Sequence, residues 1–159
     1  MRCAAIGLGL GLVSASLAFA EERPVDPYSV SNTNAGASPV SDPTLLSAFH
    51  GQAGVGRIVD DLVARAVVDP KLAEIFHTTD LERLRRTLKE QISFLLGADT
   101  DYTGRDMKSA HKDQGINTAE FNILVELLQT AMDKEGVVFA AQNKLLYKLA
   151  PMKRDVVTR

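Results

Sequence analysis

Apolar side chains recur at three- and four-residue spacing through most of this 159-residue chain, and no segment alternates convincingly enough for a strand. That restricts the chain to an all-α fold. Val55, Ile58, Val59, Leu62, Val63, Ala66 and Val67 form a first stripe, preceded by a flexible corner at His50-Gly51-Gln52-Ala53-Gly54. Asp69-Pro70 supplies a cap and a first-turn proline for a short turn carrying Leu72, Ile75 and Phe76. Leu81, Leu84, Leu88, Ile92, Leu95 and Leu96 give a second stripe that starts near Thr79-Asp80 and ends at Gly97. Asn117-Thr-Ala-Glu120 has the form of a capping box and opens a third, with Phe121, Leu124, Val125, Leu128, Ala131 and Met132, stopped by Gly136. A last helix is expected over about 139–157, with Phe139, Leu145, Leu146, Leu149 and Met152 on one face. Two antiparallel helix pairs packed across each other would bury these stripes. They would leave a slot between the Leu81–Leu96 helix and the short segment ending at His111.

The stripes begin only after Thr44, and the preceding residues divide in two. Residues 1–20 have a positive start at Arg2, an uncharged run from Ala4 to Leu17 and a small-x-small Ala18-Phe19-Ala20, the pattern of a cleaved signal peptide. The run is too short and too rich in Gly and Ala for a comfortable membrane span. Cleavage after Ala20 is expected to leave no stable span and to deliver the chain to the periplasm or cell exterior. It would also remove Cys3, the only cysteine. A mature chain would then have no disulfide, no thiolate metal site and no Cys-x-x-Cys-His attachment for haem, and its core alone must stabilise it. Residues 21–43 hold Pro24, Pro27, Pro39 and Pro43 with several serines, and are expected to be a disordered linker. Residues 44–159 are long enough for one core. A net charge of −2 without a basic patch argues against a nucleic-acid partner.

His111 lies on a short helical segment before Gly115, between two long apolar-faced helices and without a second ligand cluster. A lone imidazole of this kind is either a solvated or core-edge residue or, in an apolar surround, the proximal ligand of a haem iron.

The order of short motifs resembles a group I truncated haemoglobin from Leu45 to about Val157. The matching pieces are Gly51 with Gly54, Asp60-Asp61-Leu62 with Arg65, Asp69-Pro70-x-Leu72-Ala73-x-Ile75-Phe76 and Leu81-x-Arg83-Leu84. They continue with Leu95-Leu96-Gly97, Tyr102-Thr103-Gly104, Met107-Lys108-x-x-His111, Gly115-Ile116 and Leu149-Ala150-Pro151. The resemblance implies a two-over-two helical sandwich holding haem b noncovalently, with His111 as the metal ligand through Nε2 and Nδ1–H bonded to a nearby carbonyl. It places Phe76 against the macrocycle and implies a slot lined by Leu84, Leu88, Met107, Ile116, Phe121, Leu124, Leu146 and Leu149. Arg83 or Arg86 is the candidate cation for the haem propionates, because the family's usual lysine position is Thr87 here.

The distal side departs from the family. Where group I members commonly carry a tyrosine on the first long helix this chain has Val63, and the positions that would assist it are Leu84 and Leu88. A hydrogen bond to a charged partner contributes about 1.5–3 kcal/mol. Its loss favours a reversible carrier of O2, NO or CO, oxygen-transport-like but with poor O2 retention, over a haem enzyme that detoxifies NO or acts as a peroxidase with some reductase. A haem-free interaction module is a further alternative. Gln91 and Thr87 are the nearest polar side chains on that helix, Gln91 being either a replacement distal donor or part of a solvated face. His77 is expected to point outward at the rim rather than serve as a second axial ligand, and His50 to be structural or exposed.

Overall fold

The protein is described here by a computed structural model covering residues 21–159, so the expected signal peptide at 1–20 lies outside the described residues. Eight α-helices and two 3-10 turns, with no strand, make up the described residues. A turn at α1 (Leu45–Ala48) leads into α2 (Gly51–Ala66), followed by α3 (Ala73–His77), α4 (Leu81–Leu95), α5 (Met107–His111), α6 (Thr118–Lys134), α7 (Phe139–Leu149) and α8 (Lys153–Val156).

The long helices pack in two layers, with α2 against both α4 and α6, and α7 against α4 and α6. Phe49, Val55, Ile58, Val59, Val63, Leu95, Leu96, Met132 and Leu145 are essentially inaccessible at the centre. Each fully buried side chain of this size contributes roughly 1.5–3 kcal/mol. Asp61 accepts bonds from Arg65 Nε (2.6 Å) and Lys134 Nζ (2.5 Å), which ties α2 to α6 and accounts for the Asp60-Asp61-Leu62 with Arg65 pattern.

Local signals set the helix ends. Asn117 and Glu120 form the expected capping box, each side chain bonding the other's backbone N–H. Gly97 and Gly136 take left-handed conformations, and in each case the next N–H reaches back five residues, Ala98 to Ser93 and Val137 to Met132, closing Schellman motifs. The expected corner before α2 is its first turn, with His50 as a left-handed N-cap. The single last helix is also corrected. Pro151 lacks an N–H and crowds the preceding turn, so the helix stops at Leu149, passes through a 3-10 turn at Ala150–Met152 and resumes as α8.

The disordered linker is corrected too. Residues 21–43 run as a strap along the helical body. A 3-10 turn at Asn32–Ala35 buries Ala35 completely, Asn32 Nδ2 donates to Asp101, Tyr102 N–H donates to Asn32 Oδ1, and Val40 N–H donates to the Leu95 carbonyl. Ala35 joins the core with Ala37 and Val40 packed against it, and hydrogen bonds from Tyr28, Asn34 and Asn32 satisfy the irregular backbone after α4.

Candidate haem slot

Two elements face each other across the slot. Asp80 caps α4 by accepting the Arg83 N–H at 3.1 Å, which sets the register of Arg83, Leu84, Thr87, Leu88 and Gln91 along one face. Asp106 caps α5 by accepting the Ser109 N–H at 2.9 Å. The loop between them is held by Tyr102, whose buried ring folds over Gly104 while its hydroxyl donates to the Arg105 carbonyl at 2.9 Å. A Cβ at residue 104 would collide with that ring, which gives the Tyr-Thr-Gly run a steric basis. Burial raises the Tyr102 pKa well above its ordinary value, so the phenol stays protonated.

His111 ends α5. Its Nδ1 lies 2.7 Å from the Met107 carbonyl; a carbonyl only accepts, so Nδ1 carries the proton and Nε2 holds the lone pair. Desolvation lowers the His111 pKa, opposed in part by that hydrogen bond, and the ring is held neutral. Two adjoining cavities, of about 330 and about 110 Å³, meet at His111.

Nearly all the predicted residues line this space. Leu84, Leu88, His111, Phe121 and Leu124 border both cavities; Arg83, Gln91, Met107 and Leu149 border the larger; Val63, Phe76 and Ile116 border the smaller. Leu146 borders neither and is corrected to a core-packing position, because the inward face of α7 is carried by Ala141, Gln142 and Leu145. His77 is exposed and borders neither cavity. Gln91 is corrected as well: it is buried rather than on a solvated face, and its Nε2 donates to the Ala35 carbonyl at 2.9 Å. Sequence reasoning missed Leu62, Met152 and Val156, though the first two already stood on apolar stripes. It also missed Val25 and Tyr28 of the strap, which carry no periodic signal.

The polar side chains around the slot are turned away from it. Tyr28 donates to the Thr103 carbonyl, Thr79 to Ile75, Thr87 to Arg83, Tyr102 to Arg105 and Gln114 to Ala110, as Gln91 does to Ala35. His111 Nε2 is left without a hydrogen-bond partner among the described residues where the cavities meet, and Arg83 stands at the wall of the larger one. Arg83 Nε is buried without a hydrogen-bond partner among the described residues, Asp80 Oδ2 being 3.8 Å away. An apolar slot with a neutral imidazole inside and an unsatisfied cationic N–H at its wall fits a flat macrocycle that carries a metal at its centre and carboxylates at its edge.

Two helical layers around such a slot define a globin of the two-over-two class. The chain belongs to the bacterial-like globin family, whose model matches residues 44–158. Its relatives are group 1 truncated haemoglobins. It is 28% identical to GlbN of Synechocystis sp. over 73% of this chain and 98% of that one, and 27% identical to GlbN of Mycolicibacterium paratuberculosis over 72% and 85%. The solved truncated haemoglobin of Tetrahymena pyriformis in its Fe(III) form superimposes with a TM-score of 0.68 at 20% identity, over 72% of this chain and 98% of that one. The group I truncated-globin fold expected from the motifs is therefore the fold of this chain, and globin-type haem binding comes with the family.

Proposed function

We propose that the chain is a haem b protein that takes a diatomic gas (O2, NO or CO) reversibly, with His111 as the only protein ligand to the iron. Haem, when bound, would supply an iron held by His111 and able to take a diatomic gas. The observation that carries the reading is the His111 geometry, with Nδ1–H locked on the Met107 carbonyl and Nε2 left at the junction of two apolar cavities. That bond fixes the tautomer and keeps the imidazole basic towards a metal. Phe76, Ile116, Phe121 and Leu124 exclude water from the slot, and Arg83 is the cation at its wall for a propionate.

Val63, Leu84 and Leu88 offer a gas no donor, and the polar side chains nearest to them are bonded to backbone carbonyls. This supports reversible, carrier-like binding over chemistry that needs a polar distal group. The pattern of residues 1–20 supports export to the periplasm or cell exterior. Absorption spectra of the haem-supplied protein test the assignment. A five-coordinate ferrous haem that takes up CO is expected, and His111→Ala should remove that spectrum while His77→Ala leaves it unchanged. A low-spin ferrous spectrum that turns high-spin in His77→Ala would overturn the open-site reading.

A further inference from the structure

We propose that the N-terminal strap is a gate on the haem slot: Glu22 and the Arg23 carbonyl occupy the Arg83 guanidinium that a haem propionate would take, so strap docking and haem entry exclude each other. This inference rests on the haem-binding reading above.

The strap crosses the start of α4 beside the larger cavity. Glu22 Oε1 accepts Arg86 Nε at 2.5 Å, its Oε2 accepts Arg86 Nη2 at 2.9 Å, and Oε2 lies 3.4 Å from Arg83 Nη2. The next residue continues the clamp. Arg23 N–H donates to Asp80 at 2.6 Å, its side chain donates to the Thr78 carbonyl at 2.8 Å, and its carbonyl accepts Arg83 Nη2 at 2.5 Å. Beyond it, Val25 and Tyr28 form part of the cavity wall.

Two features make this a removable part of the wall. No side chain from Glu22 to Tyr28 is buried, and Val25 keeps 44% of its surface exposed, whereas Ala35 further on is fully buried and Gln91 is bonded to its carbonyl. The outer strap is therefore held by ion pairs and hydrogen bonds near water, each worth little, and its inner end is anchored. Charge also decides. Glu22, Asp80 and Glu90 already match Arg23, Arg83 and Arg86 around this rim. A propionate added to the balanced set brings its carboxylate against Glu22 and Asp80, and with the outer strap lifted it would take the acceptor places at Arg83 that Glu22 and the Arg23 carbonyl hold.

The test combines hydrogen exchange at the Arg23 amide with haem release to an excess of an apoglobin scavenger, in the full chain. The probes are iron protoporphyrin IX and its dimethyl ester, which has the same ring without carboxylates. Protoporphyrin should speed exchange at Arg23 about fivefold or more, and the ester should bind with no such change. Glu22→Gln should slow haem release by about fivefold, and the exposed-site control Glu21→Gln should not alter it. A Soret band accompanied by unchanged or slower Arg23 exchange, or faster haem loss in Glu22→Gln, would make the strap a fixed wall and overturn the gate. No Soret band with either porphyrin would overturn the haem reading itself, and the gate with it.

Discussion

Gln91 is a buried amide at the cavity wall whose Nε2 is directed to the Ala35 carbonyl and two methionine sulfurs. Turning it towards a ligand would strand that carbonyl, at a cost of about 1–3 kcal/mol. The distal side is therefore apolar by side-chain choice and also by the bonding of its polar neighbours. Val63, buried at the position where the resemblance implies a tyrosine, is the place to introduce a donor. Val63→Tyr should slow O2 dissociation by about ten- to a hundredfold, read by stopped-flow displacement with CO, while CO release itself changes much less.

Among the elements, the strap is the one most sensitive to solution conditions. The Arg86 hydrogen bond holds the Glu22 carboxyl below its ordinary value of 4.5, desolvation opposing it and Arg83 and Asp80 adding smaller contributions of opposite sign. With the folded-state value lowered, the pairing contributes fully above pH 4.5 and is lost as the pH falls through the lowered value. Acidification below that point should release the outer strap before the helices unfold. Movement of the Tyr28 ring resonances, set by the Arg105 guanidinium 5.2 Å from the ring centre, would report it, and Glu22→Gln should abolish the step. None of this was legible in the sequence. The caps at Asn117, Gly97 and Gly136 were, because a cap is written within a few residues of the helix end it closes. Gln91 with Ala35, Tyr28 with Thr103 and Asn32 with Asp101 join residues 56, 75 and 69 positions apart through polar groups, and such pairs leave no periodic trace. The hydrogen bond from His111 to the Met107 carbonyl was readable because one turn of helix holds both groups. Leu146 packs against the core and borders neither cavity, Leu149 being the α7 residue that reaches the slot.

At the scale of the whole molecule, the slot is space that the helices do not fill, and the fold is less than close-packed around His111. A ligand that fills it stabilises the native state by mass action, about 4 kcal/mol at a thousandfold excess over its dissociation constant. Haem should therefore raise the unfolding midpoint of the protein by several degrees in a calorimetric scan, and His111→Ala should lose most of that rise. The smaller cavity has a separate consequence. Lined mainly by apolar side chains such as Leu62, Val63, Ala66, Leu72 and Ile75, it is expected to take up apolar solutes as a droplet of hydrocarbon does. Gases dissolve more readily in such a phase than in water, so on the proposed function partitioning would raise the gas concentration beside Val63, Leu84 and Leu88 before any bond forms. Crystals held under xenon should carry an atom there, and filling that space with a larger side chain at Ala66 should slow the arrival of gas without touching the residues that hold it.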